Sequence, residues 1–163
     1  MTFAALDRIR RDDRPAALVR IALGALFLYA GALKAFAPHR LAEDIANYHL
    51  LPSAWVPLAA VTVPWVELAA GLALVAGVFG RGAALLVAGM MAAFTVALSQ
   101  ALLRGIDLAC GCFGGTAPAD GWTVVRDVVL LAAALHVVAF DTGRYGLGRR
   151  LLRRPPGEPK LLA

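Results

Sequence analysis

The stretch AWVPLAAVTVPWVELAAGLALVAGVF, residues 54–79, decides the fold class of this chain. Glu67 is its single ionisable side chain. An α-helix rises about 1.5 Å per residue, so crossing about 30 Å of hydrocarbon takes about 20 apolar residues. Because no water reaches the bilayer core, a segment of this length can satisfy its backbone hydrogen bonds there only as a helix. The stretch is therefore predicted to cross a membrane.

Three further apolar runs have the same character, near residues 16–37, 82–103 and 122–140. The whole chain of 163 residues is 60% hydrophobic and 17% charged, with a mean hydropathy of +0.71. This composition lies outside the range of soluble domains. We predict an all-α polytopic membrane protein, in which residues 16–140 form a four-helix transmembrane bundle surrounded by the lipid bilayer.

Basic residues are unevenly distributed between the connections. They concentrate in an N-terminal segment, residues 1–15, in a tail, residues 141–163, that we expect to be disordered, and at Arg81. Segments rich in Arg and Lys remain in the cytoplasm. We therefore predict a protein of the bacterial inner membrane with both termini in the cytoplasm. The net charge of +5 arises from these flanks, so nucleic-acid binding is not expected.

The two other loops, 38–53 and 104–121, are then predicted to face the periplasm. In the first loop, one helical face carries Leu41, Ile45, Tyr48 and His49, the other carries Glu43, Asp44 and Asn47, and Pro52 follows. This spacing predicts a short periplasmic surface helix lying in the membrane interface. Small residues let membrane helices approach closely. The predicted close contacts involve Gly24, Gly31, Gly71, Gly82 and Gly89.

The second periplasmic loop contains the two cysteines of the sequence, in Cys110-Gly111-Cys112. A disulfide needs Cα atoms about 4.4–6.8 Å apart, and Gly111 permits the bend that this requires. Strained or exposed disulfides exchange readily with thiols. The pair therefore predicts redox exchange: a partner thiolate attacks the disulfide, and the second cysteine resolves the mixed disulfide. If the chain is an enzyme, it is a thiol-disulfide oxidoreductase.

Other roles for the pair remain open. The pair could be a permanent structural disulfide, although closing so short a loop would remove little chain entropy. Alternatively, both thiols could pack at the membrane surface without a role. Two soft thiolates one residue apart suit Cu(I), with His49 of the facing loop as a candidate third ligand. In that case Cys110 and Cys112 would bind metal, and the chain would be a non-catalytic assembly or copper-handling subunit.

Glu67 is predicted to lie near the middle of its helix, where an ionisable group is costly and by default functional. Its candidate partners inside the bundle are Lys34, Tyr29, Arg126 and Asp127. A contact with one of them would either fix helix packing or handle protons, and the sequence favours neither role. Pro64 and Trp65 lie within one turn of Glu67 and suggest a pocket there for a quinone, a candidate electron acceptor.

Four short stretches follow one another in a specific order and spacing: FLYAGALK at 27–34, YHLLP at 48–52, PWVELAAG at 64–71 and CGCFG at 110–114. Together they resemble the MauE/DoxX family of redox-associated membrane proteins, over roughly residues 18–140. The resemblance implies a four-helix membrane protein that works in methylamine metabolism with a periplasmic thioredoxin-like partner. It also implies that Cys110 and Cys112 are the redox centre.

The resemblance further implies that Lys34 and Glu67 are polar positions inside the bundle. The chain departs from quinone-linked disulfide generators, which are also four-helix bundles but relay electrons between two cysteine pairs. Because this sequence has two cysteines in all, the second pair is expected to come from the partner. The sequence predicts neither the oligomeric state nor the direction of electron flow.

Overall fold

The computed structural model describes residues 13–106, 121–143 and 145–147. Its helices are α1 (Asp13–Ala35), α2 (Pro38–Asn47), α3 (Val56–Ala76), α4 (Gly80–Leu103) and α5 (Gly121–Phe140), with a 3-10 turn at Ser53–Trp55 before α3. Four of them, α1, α3, α4 and α5, are long and apolar enough to cross a membrane. The prediction of an all-α fold with four spans is confirmed, and the described residues contain no strand.

The helices run antiparallel in chain order. α1 packs most extensively against α3, and α4 against α5, while contacts of α1 with α5 and of α3 with α4 close the bundle. We call the end at which α1 begins and α5 ends the termini end. The opposite end, where α2 packs against α1 and α3, is the surface-helix end. The predicted short helix of the first loop is thus present.

Backbone geometry sets the sharp turn between α3 and α4. The apolar run extends to Phe79, but α3 ends at Ala76 because Gly77 takes the left-handed conformation, with φ of 66°. Its amide N–H bonds back to Leu74 O at 3.2 Å, which is a common way to close a helix with glycine. The turn returns the chain into α4 at Gly80.

The apolar core lies mainly in the half of the bundle nearest the termini end. Its buried residues are Leu23, Phe27, Ala70, Leu74, Ala83, Ala84, Val87, Ala88, Ala134 and Val137. Half of this core is alanine, and small side chains allow helices to pack closely where no hydrophobic effect drives their association. The termini half of the bundle is therefore filled by close helix packing.

Three of the five predicted glycine contacts are present. A Cβ atom added to Gly24 would lie 2.8 Å from Gly71 O, and one added to Gly71 would lie 2.8 Å from Gly24 O, so α1 and α3 meet backbone to backbone. Gly31 also lies close to α3, where an added Cβ atom would be 3.1 Å from Glu67 Cβ. The prediction is wrong for Gly82 and Gly89, because a Cβ atom at either would meet nothing within 4 Å.

A buried polar network closes the termini end. Arg20 Nε lies 3.2 Å from Asp141 Oδ2, with side chains 1% and 2% exposed, and an Arg20 N–H donates to Leu74 O. Gly143 N donates to Asp141 Oδ1 at 3.0 Å, and Arg81 Nε donates to Asp141 O at 2.8 Å. The network thus connects α1, the end of α3, the start of α4 and the end of α5.

The described structure extends beyond the predicted boundaries of the bundle at both ends of the chain. The basic N-terminal segment was expected to extend to residue 15, but α1 begins at Asp13. The tail was expected to be disordered from residue 141, but Asp141 is buried and Gly146 packs against the backbone of Gly77. The remaining parts of both predicted segments, residues 1–12, 144 and 148–163, lie outside the described residues.

The glycine contacts generate a matched pair of variants. Gly71→Ala should lower the free energy of unfolding by roughly 1–3 kcal/mol, because its new methyl group meets the α1 backbone. Gly89→Ala should be neutral or stabilise by about 0.5–1 kcal/mol, since alanine is the better helix former and the site is open. Unfolding of the purified protein in mixed micelles measures both, and equal effects would contradict the packing described.

Candidate functional site

A cavity of about 390 Å³ occupies the surface-helix half of the bundle. Side chains from α1, α3, α4 and α5 form its walls, and residues of α2 and of the segment that follows it also line it. Most of the lining is apolar, and its polar members are Lys34, Asp44, Tyr48, Glu67 and Asp127. Volumes of about 300–1,000 Å³ with few polar groups are typical of small-molecule sites. This cavity is the candidate functional site.

The surface helix α2 covers the cavity. Leu41 is the buried residue of α2. The ring of Tyr48, immediately after the helix, makes an edge-to-face contact with the Phe94 ring at a centroid distance of 6.1 Å. Such edge-to-face contacts between aromatic rings are favourable, so Tyr48 attaches the end of α2 to α4. Asp44 was predicted to face away from the apolar side of the helix, but it lines the cavity.

Lys34 and Glu67 form an ion pair in the wall of the cavity. Lys34 Nζ lies 2.5 Å from Glu67 Oε1, and the side chains are 15% and 8% exposed. Helical side chains lean towards the N-terminus of their helix. Because α1 and α3 are antiparallel, the long side chain of Lys34 in the last turn of α1 reaches inward, and that of Glu67 leans towards it.

The space for this ion pair comes from a glycine. A Cβ atom added to Gly31 would lie 3.1 Å from Glu67 Cβ and 3.1 Å from Pro64 O, so a side chain there would require these α3 atoms to shift by a few tenths of an ångström. The second carboxylate oxygen, Glu67 Oε2, is buried and accepts no hydrogen bond from the described residues. The pair therefore leaves one acceptor unused at the cavity.

A second ion pair lies within α5, between two consecutive residues. Arg126 Nη2 is 3.1 Å from Asp127 Oδ1, and the Asp127 side chain is 1% exposed. Of the four candidate partners of Glu67, Lys34 forms the ion pair, and Asp127 lines the same cavity. Tyr29 does not belong to this cluster, because it is 59% exposed on the outside of α1. The proposed packing contact between Glu67 and Tyr29 is wrong for that reason.

The predicted pocket near Glu67 exists, but it does not adjoin Trp65. Pro64 is buried, whereas Trp65 is exposed and contributes nothing to the cavity lining. Successive residues of a helix point about 100° apart, since the helix has 3.6 residues per turn, so two residues separated by two positions point about 200° apart. Trp65 therefore faces the surroundings of the bundle while Glu67 faces its interior.

The predicted redox pair, Cys110 and Cys112, lies outside the described residues, so its geometry stays a prediction. The described chain stops at Ile106, after α4, and resumes at Gly121, both at the surface-helix end. The copper alternative shares these two cysteines and is equally untested. Among the described residues, no group of three His, Cys, Asp or Glu side chains is placed to hold a metal ion.

Comparison with known proteins supports the same family that the motifs suggested. Residues 13–140, which include helices α1 to α5 and the whole cavity lining, match the family described as methylamine utilisation protein MauE. The chain belongs to the MauE family. The resemblance seen in the sequence is thereby confirmed.

One curated member of the family is the methylamine utilization protein MauE of Paracoccus denitrificans. It is 32% identical to this chain over 122 residues, which cover 73% of this chain and 66% of the relative. The match thus spans just under two thirds of the relative's length. No solved structure matches the chain.

Two features of this MauE-family chain were missed by sequence reasoning, one in the cavity wall and one at the termini end. Asp44 lies three residues after Leu41 and four before Tyr48, a spacing that places all three on one helical face and could have revealed its position. The Arg20 and Asp141 network was also missed. The signal for it was a charge inside the first apolar run, because such charges in a membrane helix face the bundle interior and require a partner.

The Lys34 and Glu67 contact predicts a non-additive stability effect. Lys34→Met and Glu67→Leu should each lower the free energy of unfolding by about 3–5 kcal/mol, since each leaves a buried charge uncompensated. The double variant should recover most of that loss, because it removes both charges. Unfolding in mixed micelles provides the measurement, with Arg104→Met at an exposed position as the charge-loss control. Additive losses in the double variant would contradict a direct ion pair.

Proposed function

We propose that this chain is a membrane thiol-disulfide redox component of methylamine utilisation. The observation that carries the proposal is the Cys110-Gly111-Cys112 sequence, between α4 and α5, in a chain that matches the MauE family over its whole bundle. The name of the Paracoccus relative, methylamine utilization protein MauE, supports the pathway. The cysteine pair supports the type of chemistry.

We place the surface-helix end in the periplasm and the termini end in the cytoplasm of a bacterial inner membrane. The support is the distribution of basic residues, which concentrate in the terminal segments and at Arg81 in the α3–α4 turn. This orientation puts both thiols on the oxidising side, where disulfides form and persist.

The covalent connection limits where the thiols can lie. Cys110 follows Ile106, at the surface-helix end, by four residues. A chain extends at most about 3.3–3.6 Å per residue, so the Cα atom of Cys110 stays within about 14 Å of that of Ile106. Ile106 follows the end of α4, so the tether favours a thiol pair near that end of the bundle. Such a position is within reach of a soluble periplasmic partner.

The proposed exchange proceeds in two steps. A thiolate of a reduced thioredoxin-like partner attacks one sulfur of the Cys110–Cys112 disulfide, forming a mixed disulfide and releasing the other cysteine as a thiolate. The second thiolate of the partner then attacks its own half of the mixed disulfide. The partner leaves with a disulfide, and this chain keeps the dithiol, having gained two electrons and two protons.

Repeated turnover requires an acceptor for those electrons. When the dithiol closes again into a disulfide, it releases two electrons and two protons, which are the two electrons and two protons that reduce a quinone to a quinol. We therefore propose a membrane quinone as the class of acceptor. With one cysteine pair in this chain, the second pair of the exchange belongs to the thioredoxin-like partner.

The second candidate is a non-catalytic copper-handling subunit. Two soft thiolates one residue apart favour Cu(I), and the exposed His49 lies between α2 and α3 at the same end of the bundle as the cysteine loop. Copper content separates the two functions. Protein purified with stoichiometric copper supports the second, and metal-free protein with a dithiol that oxidises reversibly supports the first.

The proposed exchange predicts distinct behaviour for cysteine variants. Purified oxidised protein should convert a reduced periplasmic thioredoxin-like protein to its disulfide form. The mass shift produced by alkylating the remaining free thiols of that partner measures the conversion. Either Cys110→Ser or Cys112→Ser should stop turnover, because one cysteine cannot form the intramolecular disulfide that oxidises the partner. Supplied instead with the disulfide form of the partner, the variant that keeps the reactive sulfur should form a mixed disulfide and release one partner thiolate, and it lacks the second cysteine that would resolve this bond.

The double variant Cys110→Ser/Cys112→Ser provides the decisive comparison. It should purify as the wild type does and show no exchange. Ser99→Ala, a change of similar size near the end of α4, should exchange normally and controls for the mutagenesis. Exchange at the wild-type rate by the double variant would rule out the proposed redox centre.

A further inference from the structure

The cavity beneath α2 has mostly apolar walls and five polar lining residues, two of which, Lys34 and Glu67, form an ion pair. Its apolar walls include Leu26, Met90, Met91, Ala97 and Leu130. The Lys34 and Glu67 pair forms the polar pole at the depth of the middle of α3. A ligand that matches this lining needs an apolar body and a small polar head.

The polar pole has unused hydrogen-bonding capacity of both kinds. Glu67 is 6% exposed, and its buried Oε2 atom accepts no hydrogen bond from the described residues. An ammonium group carries three N–H donors, and Lys34 Nζ uses one of them on Glu67 Oε1. Because buried polar atoms are normally paired, an acceptor left open beside a cavity favours a ligand with a matching group.

The charges at the pole favour a neutral head. Lys34 and Glu67 compensate each other at 2.5 Å, so an anionic head that competed for Lys34 would leave the Glu67 carboxylate uncompensated inside the bundle. Uncompensated buried charges cost several kcal/mol. A neutral head with carbonyl or hydroxyl oxygens uses both partners without separating them.

We propose that this cavity binds the head of a membrane quinone. A carbonyl oxygen accepts a hydrogen bond from Lys34 Nζ, and in the reduced form a hydroxyl group donates to Glu67 Oε2. The flexible thioether side chains of Met90 and Met91 suit the face or edge of a ring. The redox-active identity of this ligand rests on the proposed function, whereas its neutral, lipophilic character rests on the cavity alone.

Binding of decylubiquinone to the purified full-length protein in detergent tests this inference. Isothermal titration should show saturable binding of one quinone per chain. The same binding should occur in Cys110→Ser/Cys112→Ser, because the site does not include the thiols. Lys34→Met/Glu67→Leu, which removes both polar groups without leaving a charge, should bind roughly tenfold more weakly, as expected for the loss of a buried hydrogen bond.

Filling the cavity provides a matched steric test. Ala97→Phe places a ring in the cavity and should abolish saturable binding. Val96→Phe, on the neighbouring exposed position of α4, should bind as the wild type does. If Ala97→Phe does not run as a monodisperse species on size exclusion, the double charge variant decides the question.

Several outcomes would overturn the inference. Binding that does not saturate, or that is unchanged in both Ala97→Phe and Lys34→Met/Glu67→Leu, would show that the quinone partitions into the micelle. Decanol or decanoate competing as well as the quinone would show a site for alkyl chains only. Loss of binding with intact disulfide exchange would refute this site alone, whereas intact binding without exchange would refute the proposed function alone.

Discussion

The ion pair between Lys34 and Glu67 is the contact on which the surface-helix half of the bundle depends. Lipid offers no partner for a charge, so both side chains must face inward and meet each other. Their meeting requires α1 and α3 to be antiparallel in one register, and Gly31 favours it, because a Cβ atom at that position would lie 3.1 Å from Glu67 Cβ. The same requirement acts at the termini end, where Arg20 and Asp141 are buried against each other.

These two ion pairs border regions of different packing. Alanine-rich contacts fill the bundle towards the termini end, whereas the surface-helix half keeps a cavity of about 390 Å³ under α2. A closely packed half holds the helices at fixed positions, and the mostly apolar cavity, with the Lys34 and Glu67 pair in its wall, is the site at which we propose that a ligand binds. The loop with both cysteines joins α4 to α5 at this same end. The two described ends of the α4–α5 connection, Ile106 and Gly121, therefore lie at the end of the bundle that contains the cavity.

The four spans were predictable because their length and hydropathy suit membrane-spanning helices, and Glu67 was predictable as an exception within one of them. Lys34 was one of four candidate partners, and the sequence could not single it out because it lies in the last turn of α1 and reaches Glu67 through the lean of both side chains. Glycine spacing predicted the contact between Gly24 and Gly71 but failed for Gly89, because a small residue promotes close packing only where a helix faces it. Asp141 was assigned to the tail because its buried partner, Arg20, is distant in sequence.

The proposed function depends on the thiols of Cys110 and Cys112 emerging together at the periplasmic surface. Labelling of intact cells with a membrane-impermeant maleimide after mild reduction tests it most directly, with a Cys110→Ser/Cys112→Ser/Leu147→Cys variant reporting on the termini end. The account predicts that Cys110 and Cys112 react in intact cells, and that the cysteine at 147 reacts only after the cells are permeabilised. Labelling of Cys110 and Cys112 that appears only after permeabilisation would contradict it.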